Sequence, residues 1–280
     1  MNRINPDDVL TSISNLPSLP AVVIELLESL DQEDVNIHVL AQKIAQDQAL
    51  TAKTLRLANS SFYGMAHQVG TIEEALAILG FRTVRSLATT AALIGTFAGS
   101  THTNFNVTPF WRHAIATAVC ARELAVHLNL NPEQAYITGL LHDIGRLVLV
   151  TQFKSNYEAA MIHRNQHDCS PLEAELAVLS VDHAAVGLAL TRHWKFPEAM
   201  QQAVACHHAT QVHGMEPLSL VIFAANAIAH ALDLSKDADD LSPPIATGLW
   251  KQIGLNDRTL LDIFKNVEHQ FESASFALKT

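Results

Sequence analysis

Apolar side chains return every three or four positions along almost the whole chain. This spacing is the period of one helix face, and the stripe at Phe110, Ala114, Thr117, Ala121 and Leu124 is a clear example. Long alternation of apolar and polar residues, the pattern of a half-buried strand, does not occur in the sequence. The pattern therefore predicts an all-α fold.

Capping residues and helix breakers place the ends of the predicted helices. Thr71 and Glu74 form a capping box, and Gly80 ends the helix that this box opens. Asp47 and Asn256 are placed to start two further helices. The predicted helices span residues 21–30, 36–45, 47–58, 72–79, 83–97, 109–128, 132–150, 153–166, 171–179, 183–194, 197–207 and 218–232, and the stretch after Asn256.

Polar and breaker-rich stretches divide the chain. Residues 99–108 are rich in Ser, Thr and Asn and form the best candidate for an internal boundary. We therefore expect one unit over residues 1–100 and a second over residues 101–280. The linker 59–71 and Ser242-Pro-Pro244 are further breaks within these units.

Composition and charge limit the classes of partner. The 280 residues are 49% hydrophobic and 16% charged, which is typical of a folded protein rather than a disordered one. The net charge of −10 argues against a broad surface for nucleic acid or anionic membranes. Arg82 and Arg85 near Lys53 and Arg56 could form a small basic patch, but a solvated helix face is the simpler interpretation.

Nothing in the sequence indicates export or a membrane span. The first eight residues are polar and acidic, unlike a signal peptide. No apolar run reaches the roughly 18–20 residues that a membrane helix needs. The three cysteines are Cys120, Cys169 and Cys206. They are too few and too scattered for a disulfide framework or a cysteine zinc site. We therefore expect a cytoplasmic protein with no membrane segment.

The segment 136–150 carries the most informative chemistry. It is apolar nearly all the way round, as a buried helix is, yet it holds the pair His142 and Asp143. A buried carboxylate is costly unless it is paired or bound to a metal ion. Gly139 and Gly145 each lie three residues from His142, and glycine costs a helix about 1 kcal/mol relative to alanine. We expect these glycines to allow the close approach of another helix or a ligand.

Other histidines could join this pair. His113 lies beside the apolar stripe of its helix, so it points towards a neighbouring helix, and His183 lies in the first turn of its own. His207 and His208 end another helix. Imidazole and carboxylate ligands suit Mn, Fe, Co, Ni or Zn, but a simple buried His–Asp hydrogen bond is the alternative, and the residues alone leave both open. The remaining histidines are expected to have structural roles: His38, His67, His102, His127, His163, His167, His193, His213, His230 and His269.

These residues resemble the HD superfamily of metal-dependent phosphohydrolases, whose signature is a distant His, a His-Asp pair and a later Asp. His113 matches the first His, Leu140-Leu-His-Asp-Ile-Gly-Arg146 matches the core segment, and Asn226 falls where the last Asp is expected. His183 and the pair His207–His208 resemble the additional ligands of the HD-GYP subgroup, which hydrolyses cyclic di-GMP. The metal ligands that the resemblance implies are His113, His142, Asp143, His183, His207, His208 and Asn226.

Motifs outside this core narrow the resemblance to the HDOD domain. They are Leu16-Pro-Ser-Leu-Pro-Ala21, Ile44-Ala-Gln-Asp-Gln-Ala-Leu50, Leu57-Ala-Asn-Ser-Ser-Phe-Tyr-Gly64, Ile72-Glu-Glu-Ala-Leu-Ala-Ile-Leu-Gly80, Asp182-His-Ala-Ala-Val-Gly187 and Trp194-Lys-Phe-Pro197. The likeness covers about residues 16–230. It implies one continuous HDOD unit, in which an N-terminal helical subdomain (1–100) lies beside a multi-helix HD-type core with C-terminal helices (101–280).

Four positions depart from the HD-GYP pattern. The Gly-Tyr-Pro motif is missing after His208, Arg146 stands where a lysine is expected, and Pro109 stands where a glutamate ligand is expected. Asn226 replaces a carboxylate by a neutral amide, which neutralises none of the charge of a divalent ion. Metal affinity and water activation should both fall.

The resemblance implies a bacterial signal-transduction protein with a degenerate metal site. The alternative is an active phosphohydrolase acting on a nucleotide or other phosphoester, in which Asp143 positions the attacking water and Arg146 stabilises the phosphate charge. The expected cofactor is a divalent ion of Mn, Fe, Ni, Co or Zn, or none where the site is degenerate. The expected partners are signalling proteins, a nucleotide ligand or a second copy of the chain.

Overall fold

The computed structural model describes residues 3–16, 19, 21–29, 37–59, 68–97, 105–237 and 245–275. Every regular element in these residues is a helix, which confirms the predicted all-α fold. In chain order the helices are α1 (Pro6–Ser14), α2 (Ala21–Glu28), α3 (Ile37–Gln46), α4 (Gln48–Ala58), α5 (Ile72–Phe97), α6 (Val107–His127), α7 (Pro132–Leu141), α8 (Ile144–Gln152), α9 (Lys154–His167), α10 (Pro171–Leu179), α11 (His183–His193), α12 (Glu198–Cys206), α13 (Pro217–Ala231), α14 (Leu249–Ile253) and α15 (Asp257–Ala274).

Local capping explains where several helices begin. The Asp47 carboxylate accepts a hydrogen bond from the Leu50 amide at 3.0 Å, and the Asn256 side chain accepts one from the Thr259 amide at 2.9 Å, as their positions in the sequence predicted. The short helices α1 and α14 were not predicted. The predictions made for residues 17–18, 20, 30–36, 60–67, 98–104 and 238–244 lie outside the described residues.

The two helices predicted at 72–79 and 83–97 form the two parts of one bent helix, α5. Gly80 separates them with φ 78° and ψ 161°, a conformation outside the helical region. Glycine adopts this positive φ without the clash that a Cβ atom would cause. Gly80 therefore ends the first helical segment, as predicted, but the chain resumes the helix at once.

By length and composition alone, α5 is apolar enough to cross a membrane, although no membrane segment was predicted. The bent pair α10 and α11 passes the same test only if it is counted as one span. Half of the apolar window of α5 is buried inside the protein, and the helix packs against α2, α3, α4 and α7. These are the properties of a core helix.

The single helix predicted over 132–150 is wrong, because the chain turns at His142 and Asp143. Helix α7 ends at Leu141 and α8 begins at Ile144, with the Arg146 amide donating to the Asp143 carbonyl at 2.9 Å. Consecutive side chains on a continuous helix diverge by about 100°, since the helix has 3.6 residues per turn. The turn frees His142 and Asp143 from this constraint, and both face the same buried space.

Helix α6 lies at the centre of the fold. It packs most extensively against α7 and also contacts α13 and α15. Polar contacts join these core helices to α5, since the Ser86 hydroxyl donates to the buried Glu133 carboxylate and Thr90 pairs with the Tyr136 hydroxyl at 3.3 Å. The Arg122 guanidinium lies 5.1 Å from the centre of the Tyr136 ring.

Candidate metal centre

Five regions of the core bring the predicted ligands together. His113 comes from the middle of α6, the His142–Asp143 pair from the turn between α7 and α8, and His183 from the first position of α11. His207 and His208 follow the end of α12, and Asn226 comes from α13. All of these side chains are buried except that of His208, which is half-buried.

Asp143 lies between two sets of ligand candidates. The three-histidine group is His183, His207 and His208, and the Asn226 group is His113, His142 and Asn226. The candidate ligand atoms of Asp143 and the three-histidine group all lie within 4.8 Å of one another. The same is true of Asp143, His113 and His142. The predicted ligands therefore converge, while their role as ligands remains a prediction.

The distances around Asp143 are uneven. Its Oδ1 atom is 3.2 Å from His207 Nε2 and 3.3 Å from His183 Nε2, but 3.7 Å from His142 Nε2. Its Oδ2 atom accepts a hydrogen bond from Arg146 at 3.3 Å. The carboxylate thus leans towards the three-histidine group and towards Arg146.

Outer hydrogen bonds fix the orientation of three imidazole rings. The Nδ1 atom of His142 lies 2.7 Å from the Gly139 carbonyl oxygen, and that of His207 lies 2.6 Å from the Val204 carbonyl oxygen. Carbonyl oxygens can only accept, so each Nδ1 carries a proton and each Nε2 of the neutral ring presents a lone pair to the centre. This arrangement is typical of metal-ligating histidines.

Glu175 on α10 orients the third ring, and it is not among the predicted site residues. Its Oε2 atom lies 2.6 Å from His183 Nδ1 and accepts a second hydrogen bond from the His183 amide at 2.9 Å. Glu175 is fully buried. No residue pattern indicates this role, because the contact depends on the bend between α10 and α11.

Replacing Glu175 by glutamine is expected to weaken metal binding about 10- to 100-fold, the usual effect of losing an outer-sphere carboxylate. The amide keeps the size of the side chain but removes the negative charge behind His183. Isothermal titration with Zn²⁺ or Ni²⁺ measures the change. Glu173→Gln on the same helix is the matched control, since Glu173 is exposed and bonds only Ser170 among the contacts described. Equal affinities for the two variants would contradict the role assigned to Glu175.

Burial and neighbouring charges have opposing effects on the pKa values of the titrating groups in the centre. Burial lowers the pKa of His142 to about 4 in spite of the attraction of Asp143, and burial together with the neighbouring histidines lowers the pKa of His208. Burial also acts against the charged form of His183, but Glu175 and Asp143 outweigh it and raise its pKa. Burial likewise acts against the Asp143 carboxylate, yet the surrounding histidines and Arg146 hold its pKa well below its usual value. The centre therefore favours an anionic Asp143 with a positive charge nearby.

Both glycines that flank His142 lie where two helices meet. A Cβ atom on Gly139 would lie 2.8 Å from the Cα atom of Ala118 on α6, and one on Gly145 would lie 2.0 Å from the His183 carbonyl oxygen. Real Cβ atoms do not approach backbone atoms so closely. The expectation that these glycines permit a close approach is confirmed, and the partner in each case is another helix.

A cavity of about 720 Å³ opens beside the centre. Residues on its wall include Asp143, Arg146, His208, Phe223, Asn226 and His230. The Arg146 side chain is mostly buried and lies with its guanidinium 5.8 Å from the centre of the Phe105 ring. The cavity thus combines candidate metal ligands with a cationic group, and its volume is in the range of small-molecule sites.

His230 belongs to the edge of this centre, although only a structural role was predicted for it. Its ring centre lies 4.3 Å from that of His113, and it lines the cavity. The signal that could have found it is its spacing, since His230 follows Asn226 by four residues and so shares a face of α13 with it.

The donor set fits a divalent transition metal ion. Neutral imidazoles with lone pairs directed inward and one anionic carboxylate are ligands that Mn, Fe, Co, Ni and Zn accept. His207 Nε2 and Asp143 Oδ1 lie 3.2 Å apart, close enough for one ion to contact both. The cluster could therefore bind a metal ion, and its chemistry does not select one metal.

Comparisons with known proteins agree with this architecture. The HDOD domain family profile matches residues 16–210. An uncharacterized protein of Treponema pallidum is 27% identical over 229 residues, which is 79% of this chain and 43% of that protein. The chain spans less than half the length of the curated relatives it matches.

Two crystal structures have the same fold along nearly their whole length. An HDOD domain protein of unknown function from Geobacter sulfurreducens gives a TM-score of 0.76 at 23% identity, covering 94% of this chain and 98% of that one. A candidate phosphohydrolase from Shewanella amazonensis gives a TM-score of 0.69 at 25% identity, covering 93% and 98%.

Proposed function

The chain belongs to the HDOD family, and from this premise we propose that it is a bacterial regulatory protein whose HD-type centre binds a divalent metal ion. The ligands would come from Asp143 and the histidines around it. When bound, the ion would supply Lewis acidity towards a phosphate oxygen. Regulation would follow from ligand binding at the centre rather than from turnover.

The observation that carries this proposal is the environment of Asn226. Its amide oxygen lies 2.9 Å from His113 Nε2, and its buried side chain lines the cavity. One side of the centre thus presents a neutral amide where the HD signature has a carboxylate. The centre therefore lacks one anion of the HD ligand set, which weakens ion binding beside Asn226 and favours a regulatory role over turnover.

The cavity supports a phosphate-bearing ligand such as a nucleotide. Arg146 offers a cationic group on the wall, and Phe223 and Ala227 give apolar surface on α13. Such a ligand, or a signalling protein that reads its presence, would be the partner of this module in the bacterial cytoplasm. A second copy of the chain is a further candidate partner.

A metal-dependent phosphohydrolase is the second candidate function. It is favoured by the convergence of Asp143 and five histidines beside a cavity with Arg146 on its wall. Asp143 would position the attacking water, and Arg146 would stabilise the charge that develops on the phosphate. The likeness to a candidate phosphohydrolase of Shewanella amazonensis agrees with this function.

Metal content and hydrolysis together distinguish the two functions. After dialysis against Mn²⁺ and Fe²⁺ salts, elemental mass spectrometry is expected to find a bound ion in the wild type and none in the His142→Ala/Asp143→Ala double variant, because the variant lacks the ligand shared by both groups. Hydrolysis of bis(p-nitrophenyl) phosphate by the wild type is expected to equal that of the double variant. His213→Ala, at an exposed histidine outside the centre, is the control and should keep the ion.

Two results would contradict the proposed functions in different ways. A wild type that holds no ion would remove the metal from both functions. A wild type that binds the ion and hydrolyses the ester faster than the double variant would replace the regulatory function by the enzymatic one.

A further inference from the structure

The two groups that share Asp143 differ in charge. The three-histidine group has Asp143 on one side, with Oδ1 at 3.2 Å from His207 Nε2, and the buried carboxylate of Glu175 behind His183. Glu175 thus gives this group a second buried carboxylate in addition to the shared Asp143. In the Asn226 group, His142 is backed by the Gly139 carbonyl, and the amide of Asn226 stands in place of an acid.

The two groups also differ in their hydrogen bonds. An amide oxygen can only accept, so the contact of 2.9 Å between His113 Nε2 and Asn226 Oδ1 requires a proton on His113 Nε2. That N–H also points at His142 Nε2, which is 3.1 Å away and presents a lone pair. The Asn226 group is thus closed by hydrogen bonds among its own members, which a metal ion would have to break.

The three-histidine group also has contacts among its own ring nitrogens, but the Asp143 carboxylate lies among them. The Nδ1 atoms of His183 and His207 are held by Glu175 and by the Val204 carbonyl, so both Nε2 atoms face inward. His183 Nε2 lies 3.3 Å from His207 Nε2 and 2.9 Å from His208 Nε2. Three ring nitrogens and a carboxylate oxygen therefore meet at one place, which is the donor set of a four-ligand site.

We propose that the centre holds one divalent transition metal ion per chain, bound by Asp143, His183, His207 and His208, and that the Asn226 group takes no second ion. This inference rests on the proposed metal-binding function and names the part of the centre that performs it. A second divalent ion would depend on the Asp143 carboxylate, whose Oδ2 atom already accepts from Arg146, because the Asn226 group adds no anion of its own. Asn226 and His113 then form a neutral hydrogen-bonding wall of the cavity.

The experiment compares ligands from the two groups in the full chain. Wild-type protein loaded with Mn²⁺ or Zn²⁺ is expected to contain one ion per chain by elemental mass spectrometry. His113→Ala should keep that ion, and His208→Ala should lose it. Circular dichroism on each variant verifies that the helices are intact.

Two further measurements determine the number of bound ions without the alanine variants. The electron paramagnetic resonance spectrum of the Mn²⁺-loaded wild type should show an isolated ion without the coupling of a Mn²⁺ pair. Asn226→Asp restores a carboxylate to the Asn226 group and should raise the content from one ion to two.

The possible results separate this inference from the proposed function. Two ions in the wild type, a coupled Mn²⁺ spectrum, or loss of the ion in His113→Ala with retention in His208→Ala would overturn the single-ion site while leaving metal binding in place. A wild type without any ion would overturn both.

Discussion

Replacing Gly145 by alanine is expected to lower the free energy of unfolding by about 3 kcal/mol, the scale of overpacking in a well-packed core. The added Cβ atom would lie 2.0 Å from the His183 carbonyl oxygen and 2.6 Å from the Gly187 amide nitrogen, and both are backbone atoms. Rotamer changes cannot relieve such contacts, so α8 and α11 must separate. Helix propensity alone predicts the opposite sign, a gain of about 1 kcal/mol.

The same separation would move His183 away from Asp143, so the variant should also lose its metal ion. Urea denaturation followed by circular dichroism gives the stability, and elemental mass spectrometry gives the metal content. Gly70→Ala is the control, because a Cβ atom there would meet only Glu74 Oε2, at an ordinary 3.8 Å. Unchanged stability in Gly145→Ala would show that the two helices are not in the close contact described.

Acidification of the metal-free protein from pH 6.5 to pH 4 is expected to cost about 3 kcal/mol of stability through His142 alone. Burial lowers the pKa of His142 from 6.5 in the unfolded chain to about 4 in the folded one. Within this window the unfolded state binds a proton that the folded state does not, so stability falls as pH falls. The lowered pKa of His208 acts in the same direction.

His183 does not offset this loss. Its pKa is raised in the folded state, so its contribution is fully present below pH 6.5 and is lost only at higher pH. Below the usual range of aspartate, protonation of Asp143 would add to the destabilisation, since its folded-state pKa is lowered. Below pH 6.5 the centre thus becomes less stable on acidification.

Chemical denaturation at pH 7, 6, 5 and 4 in the presence of a chelator measures this dependence. His142→Ala should flatten the slope below pH 6.5, and the exposed His213→Ala should leave it unchanged. A slope that is the same in all three proteins would show that His142 does not titrate as its burial requires.

The fold was predictable from the sequence where local rules decide it. The helical period, the caps at Asp47 and Asn256 and the break at Gly80 all depend on neighbours within a few residues, and all agree with the structure. The type of the candidate ligands was predictable for a similar reason, since a buried His–Asp pair is chemically unusual.

The parts that could not be predicted depend on how distant helices meet. The turn at His142 and Asp143 interrupts an apolar segment that carries no Pro, and its neighbouring glycines serve helix contacts instead of marking the break. Glu175 contacts His183 only because α10 and α11 are joined by a sharp bend of 82°. Neither the turn nor the contact of Glu175 can be inferred from the spacing of residues in the sequence.

Most of the candidate ligands lie at the ends of helices. His142 and His207 are the final caps of α7 and α12, Asp143 precedes α8, and His183 opens α11. End positions take little part in the hydrogen-bond ladder that holds a helix together. Single ligands can therefore be substituted without unfolding the helices that carry them. In such a protein, metal binding and catalysis can be lost while the fold is kept.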